Sequence, residues 1–171
     1  KIDGEQANAK NQVKNRLRFQ SFDDSFVPQE QYAYLMDAAE SHPSVSNYAM
    51  GVSAMAALDD GKLLVLEREF VVTSSKIGSF VENKIYCVDP VKSVTISQEK
   101  ALDTDSPYMQ KTLIATWKTS LGLLRQNLAN YEGMCLGPRL ADGSQVIVLC
   151  ADSQDQYGGI LRDWFRTIII R

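Results

Sequence analysis

The apolar positions of this chain fall in short runs, and most of those runs alternate with polar residues. Leu17, Phe19 and Phe22 stand against Arg18 and Gln20, so residues 16–22 fit a strand in part. Tyr32, Tyr34 and Met36 are spaced by two, which predicts a second strand over residues 31–37, with Pro28 breaking the link between the two. The same reading places strands at residues 49–58, 62–69, 83–88, 111–117, 132–136, 145–151 and 164–170, about nine in all, with a short extension at 94–97. Residues 38–48, which contain Pro43, and the polar stretch 98–109 read as loops. Ser120 can cap a helix carrying Leu121, Leu124 and Leu128, so residues 120–128 predict one short helix or a loop. Residues 1–15 are polar and have no sustained period. They are expected to be a separate N-terminal segment, a loop with at most one helical turn, ahead of a single domain over residues 16–171.

Two runs do not alternate. Leu63 to Leu66 and Val146 to Leu149 are apolar on both faces, so both sides of their sheets must be covered. Each follows a Leu-x-Asp-Gly turn, at Leu58 to Gly61 and at Leu140 to Gly143. Asp-Gly between apolar runs marks a hairpin, because both residues tolerate positive φ, so Asp59, Asp60 and Asp142 read as turn residues. The two units lie about 80 residues apart, and a repeated supersecondary unit signals a repeat architecture. With few helices available, the cover must be other sheets. Small antiparallel four-stranded sheets packed face to face around an axis make a β-propeller, whereas a two-layer sandwich buries one face of each sheet only. Grouped by position, two strands precede the loop at 38–48, four make one blade and three make most of another. The expected fold is mainly β, a partial propeller of about two and a half blades, where closed propellers have about four to eight. Its open flanks predict self-association or complementation by a missing segment, because exposed strands of a buried type are an aggregation liability.

Composition narrows the function more than the fold. With 171 residues the chain can bury a real core, and 44% apolar with 23% charged residues is ordinary for a globular protein. The net charge of -3 and the lack of a dense Lys/Arg cluster argue against a nucleic-acid partner. No apolar stretch approaches the roughly 20 residues that span a bilayer as a helix. The chain opens Lys1-Ile2-Asp3-Gly4 with no initiator Met and no signal-peptide pattern, and is expected to be a processed or trimmed product. Cys87, Cys135 and Cys150 lack metal-ligand spacing. Cys135 and Cys150 flank one hairpin and could bridge, while the plainer expectation is three buried free thiols. His42 is the only histidine, which excludes a His-based triad or multi-histidine metal site within this chain. There is no Gly-x-Ser-x-Gly elbow, Walker loop or dinucleotide fingerprint. Tyr32, Tyr34, Tyr108, Trp117 and Trp164 read as core or blade-edge packing.

The segments Gly51 to Phe70 and Tyr131 to Ser144 together resemble the phytase-like esterase family, exported bacterial β-propeller proteins described by an "esterase-like activity of phytase". The resemblance covers about residues 16 to 170 and would match the C-terminal part of that domain. It places the family's Glu-Arg pair on Glu67 and Arg68, and its Glu-Gly on Glu132 and Gly133. The family's acidic strand end, usually Ser-Asp-Asp-Asn, falls on Ala151-Asp152-Ser153-Gln154, where only Asp152 is kept. That loss weakens any ligand site carried by the turn. The family's N-terminal half is absent, so a site built from both halves would be incomplete here. The resemblance implies a phosphoester or carboxylester hydrolase outside the cytoplasm, whether periplasmic, secreted or lipid-anchored at the cell surface.

The residues themselves leave two readings open. Glu67 and Arg68 sit where a doubly buried strand emerges, and as strand neighbours they point to opposite faces. In the functional reading Arg68 holds a substrate phosphate or carboxylate and Glu67 is a metal ligand or base. In the structural reading, which is favoured, the two make inter-blade salt bridges. Glu132 is either a calcium-binding or water-activating carboxylate or an acceptor of turn N–H groups. Asp152, at the end of the adjacent strand, could approach it, and two carboxylates would suit Ca²⁺. One function is therefore metal-assisted ester hydrolysis with catalytic Glu132, Asp152 and Glu67, substrate-binding Arg68 and Ca²⁺ on Glu132 and Asp152. The other is a non-catalytic propeller module that binds a glycan, peptide or envelope partner.

Overall fold

The computed structural model describes residues 2–3, 16–39, 45–124, 126–155 and 159–171. His42, Pro43 and most of the polar N-terminal segment lie outside the described residues. Among the described residues ten strands run in chain order: β1 (Ile2–Asp3), β2 (Arg16–Phe22), β3 (Pro28–Leu35), β4 (Val45–Ala57), β5 (Leu63–Thr73), β6 (Phe80–Val88), β7 (Lys111–Ser120), β8 (Tyr131–Arg139), β9 (Gln145–Ala151) and β10 (Phe165–Ile170). They form three antiparallel sheets, in the orders β1-β2-β3, β4-β5-β6-β7 and β8-β9-β10. The fold is mainly β, with one blade-like sheet of four strands and two partial ones, in a partial propeller-like arrangement.

Several local expectations shift. Pro28 opens β3 instead of breaking the chain there, a place where its missing N–H costs no interior ladder bond. β1 pairs with β2 through Ile2 opposite Leu17, so a strand begins within the polar segment that was read as a loop. β4 starts at Val45, inside the expected loop 38–48, and β5 continues to Thr73 because Phe70, Val71 and Val72 are buried. The short helix at 120–128 does not form. Leu121 bridges Gln126, while Leu123 and Leu124 are exposed, so no apolar helical face exists to bury. A single 3₁₀ turn, Pro90–Lys92, is capped by Asp89, and no α-helix occurs among the described residues.

The repeated turn forms twice with the same bonds. The Leu58 N–H donates to the Lys62 carbonyl at 2.8 Å and the Gly61 N–H to the Leu58 carbonyl at 3.0 Å. At the second site the Leu140 N–H donates to the Ser144 carbonyl at 2.8 Å and the Gly143 N–H to the Leu140 carbonyl at 2.9 Å. Both glycines have positive φ, 83° and 86°, which explains why glycine stands at these positions.

β5 is buried on both faces, as its unbroken apolar run requires. Its odd residues meet the first sheet. Val65 packs with Tyr34, Met36, Val88 and Met109. Its even residues meet the third sheet. Leu64 and Leu66 pack with Ile85, Tyr131, Ile147 and Leu149, and Phe70 and Val72 with Val81, Leu128 and Leu161. The four-stranded sheet is therefore the middle layer of three. β4 lies against β8, so the first strands of successive sheets are neighbours.

The cysteines are free, with Cys135 and Cys150 exposed and Cys87 half-buried. This corrects the expectation of three buried thiols, because Cys135 and Cys150 lie on the face of the third sheet that no other layer covers among the described residues.

Candidate functional site

The alternation of β5 sends Glu67 and Arg68 to opposite faces, so each builds its own cluster. Arg68 enters the seam between the second and third sheets. Its Nη1 donates to Glu132 Oε1 at 2.9 Å and to Asn130 Oδ1. The Asn130 Nδ2 donates to the same Glu132 oxygen at 2.7 Å, so the three side chains close a ring of hydrogen bonds. A register shift between Tyr131 and Gly133 makes Glu132 the extra residue of a bulge, and bulges re-aim side chains. A Cβ at Gly133 would overlap the Cys150 Sγ, so the residue after Glu132 stays small.

Asp152 reaches this cluster through its backbone. Its N–H donates to the Asn130 carbonyl at 2.9 Å, while its carboxylate accepts from the Gln154 N–H at 2.8 Å and faces solvent. Arg68, Glu132 and Asp152 are thus gathered around Asn130, a buried residue that the sequence reading passed over. Its signal was a polar residue immediately before the Tyr131-Glu132-Gly133 motif. Burial lowers the pKa of Arg68, and the neighbouring Glu132 opposes that shift. Glu132 is 32% exposed against 15% for Arg68, so its side chain is the part of the pair more open to solvent. Glu132 Oε2 and Arg68 Nη2 carry no bond to any described residue.

Glu67 faces the first sheet and is 3% exposed. Its Oε1 accepts from Tyr34 Oη and Lys111 Nζ, both at 2.6 Å, and its Oε2 accepts from the Asp37 N–H at 3.1 Å. Asp37 in turn accepts from Lys84 Nζ at 2.6 Å, Tyr86 Oη at 2.7 Å and Lys111 Nζ at 2.8 Å. The Lys111 ammonium also lies 4.0 Å from the centre of the Tyr86 ring. Burial would raise the Asp37 pKa, but the Lys111, Lys84 and Tyr86 bonds outweigh it and hold the carboxyl well below the usual carboxylate range. Burial and the adjacent Glu67 push Tyr34 far up, and burial and Asp37 do the same to Tyr86. This is a closed network of two acids, two lysines and two tyrosines, of which the sequence marked Glu67 as a candidate site residue and Tyr34 only as packing.

The metal expectation meets a short donor set. Among the described residues no group of three or more His, Cys, Asp or Glu stands together to hold an ion. Glu132 and Asp152 offer two carboxylates, one already bonded to a guanidinium, against the six to eight oxygens that Ca²⁺ takes. The site as it stands does not fit a calcium ion held by this chain's side chains alone.

A separate groove of about 770 Å³ lies at the other end of the middle sheet, lined by Lys62, Cys87, Val94, Pro107, Tyr108 and Ile114 among others. No helix among the described residues is long and apolar enough to cross a membrane.

In comparisons with known proteins, a family model described as "Phytase-like: Esterase-like activity of phytase" matches residues 2–154. No curated protein and no solved structure matches.

Proposed function

Since this chain belongs to the phytase-like family, described by an esterase-like activity of phytase, we propose that it hydrolyses an ester or phosphoester at the Arg68–Asn130–Glu132 cluster. The observation that carries this reading is the half-exposed Glu132 carboxylate, held by Arg68 and Asn130 with Oε2 left open. Arg68 Nη2 and the guanidinium charge attract the anionic oxygen of the substrate. Glu132 Oε2 takes the proton of an attacking water, whose oxygen bonds to the carbonyl carbon or phosphorus; the ester C–O or P–O bond breaks, and the departing alkoxide takes that proton back from Glu132 to leave as the alcohol. Asn130 fixes the Glu132 rotamer. Asp152, at the rim, would accept a hydrogen bond from the attacking water or from a substrate hydroxyl. Glu67 enters as a structural group on the other face.

Among the described residues, this cluster would offer Ca²⁺ the carboxylates of Glu132 and Asp152. A calcium-assisted version would need the ion's other oxygens from substrate and water. Phosphate release from phytate, and hydrolysis of aryl phosphate and aryl acetate, measured with Ca²⁺ and with chelator, separate the versions. Glu132→Gln is expected to lower turnover by about 100-fold or more, the low end for a lost general base. Unchanged turnover would remove Glu132 from the mechanism.

The groove beside Tyr108 supports the second reading, a binding module, and it stands if a folded sample turns over none of these esters. The uncovered face of the third sheet presents Cys135, Cys150, Phe165 and Ile169, which supports cover by a second copy or by further chain. A monodisperse monomer in light scattering would contradict the second copy. An extracytoplasmic location is supported by the family resemblance alone, and fractionation of producing cells tests it.

A further inference from the structure

Three polar side-chain atoms in this protein are buried and have no hydrogen-bond partner among the described residues. They are Arg68 Nε, Asn83 Oδ1 and Trp117 Nε1. They are not scattered. Arg68 on β5 lies directly opposite Asn83 on β6, and Asn83 lies directly opposite Trp117 on β7. The three form one row across three strands, on the face that meets the third sheet. The row continues to Gly51 on β4, where a Cβ would meet nothing within 4 Å. Asn83 is fully buried, and its amide donates to the Val81 carbonyl at 3.3 Å, while its oxygen has no partner among the described residues. An isolated buried donor or acceptor costs about 1–3 kcal/mol, so three in one row call for a shared partner.

We infer that the row holds one internal water molecule. Its oxygen accepts from Arg68 Nε–H and Trp117 Nε1–H, and one of its hydrogens is donated to Asn83 Oδ1. The donor and acceptor count selects water over an ion. Two inward-pointing donors, one of them cationic, repel a metal ion, and the Asn83 oxygen repels an anion. Buried waters typically make about three hydrogen bonds to groups otherwise unsatisfied, which is what this row offers. Asn83 is the short residue in the middle, flanked by two long side chains on strands about 5 Å to either side, so all three can converge on one point. The water holds the inner edge of the guanidinium while Nη1 points to Asn130 and Glu132. Asn83 and Trp117 are therefore positioning residues for Arg68, and this holds whether or not the cluster hydrolyses anything.

The test is water-selective NMR on the ¹⁵N-labelled chain. Trp164, which is 45% exposed, supplies an internal reference, and Trp117→Phe assigns the two indole signals. The Trp117 indole proton is expected to exchange about 100-fold more slowly than that of Trp164 and to show a cross-peak to a long-lived water. Asn83→Leu should abolish that cross-peak and shift the Arg68 Nε–H resonance, while Trp117 stays protected. A protected Trp117 with no water cross-peak, or one exchanging as fast as Trp164, would overturn the inference. So would a cross-peak unchanged in Asn83→Leu. Should that variant not fold, a wild-type crystal structure decides the matter by showing, or failing to show, a water within hydrogen-bond distance of all three atoms.

Discussion

Replacing Glu67 by Gln isolates the worth of the buried charge network with almost no change in shape. Glu67 Oε1 serves Tyr34 and Lys111, and Oε2 serves the Asp37 N–H, so all its partners are donors. A glutamine amide has one oxygen and one NH₂. Whichever way it turns, the NH₂ group faces a donor: either the Asp37 N–H, or the Tyr34 hydroxyl and the Lys111 ammonium. Lys111 also loses one of its two carboxylates, keeping Asp37 at 2.8 Å. A hydrogen bond to a charged group contributes about 1.5–3 kcal/mol. Breaking a buried pair outright costs about 3–5 kcal/mol. Because Asp37 remains, the loss should be about 2–4 kcal/mol, between these two. Urea denaturation should show a lower midpoint with an unchanged slope. Thermal melting should fall by about 4–16 °C, at 2–4 °C per kcal/mol for a chain of this size. The solvent-exposed pair Arg139–Asp59, bonded at 2.7 Å, is the control, and Asp59→Asn should cost less than about 0.5 kcal/mol. A loss below that same level for Glu67→Gln would refute the claim that the network holds the first sheet to the second.

The Asp37 pKa is depressed in the folded state, so its contribution is complete above the unfolded value near 4 and is lost as pH falls toward the folded value. Stability should therefore drop below about pH 4, and Asp37→Asn should flatten that slope. Lys84, Tyr34 and Tyr86 are raised, so their contributions are complete below about pH 10 and are lost as pH rises further, which denaturation midpoints across pH 8–12 will show. A Cβ at Gly137 would lie 3.1–3.2 Å from Val146 and Val148 atoms, and β-branched neighbours cannot rotate away, so Gly137→Ala should destabilise by about 1–2 kcal/mol and Val146→Ala should recover part of it. Cys135 and Cys150 are exposed, whereas burial raises the Cys87 thiol pKa, so a thiol reagent should modify two cysteines quickly and one slowly.

The sequence by itself determined what depends on neighbours in the chain. Period-two runs and the two Asp-Gly turns set the strands and hairpins, because side-chain alternation and positive φ are local properties. The unbroken run Leu63 to Leu66 required cover on both faces, and the clusters around Val65 on one side and Leu64 and Leu66 on the other supply it. Alternation also sent Glu67 and Arg68 apart.

The tertiary structure decided the rest. Asn130 meets Arg68 across 62 residues, and Lys111 meets Glu67 across 44. No periodicity encodes such a meeting, which depends on how one sheet is laid on another. The bulge that presents Glu132 is a fault in register between two strands, invisible until they pair. The leucines at 121–128 had the spacing of a helix, but Leu123 and Leu124 face solvent while Leu121 and Leu128 join the cluster around Phe70. The exposure of Cys135 and Cys150 follows from which face of the third sheet is covered. Local chemistry selects the elements, while the partners of a buried charge are chosen by packing, because only the folded chain brings distant residues within the few ångströms over which hydrogen bonds act.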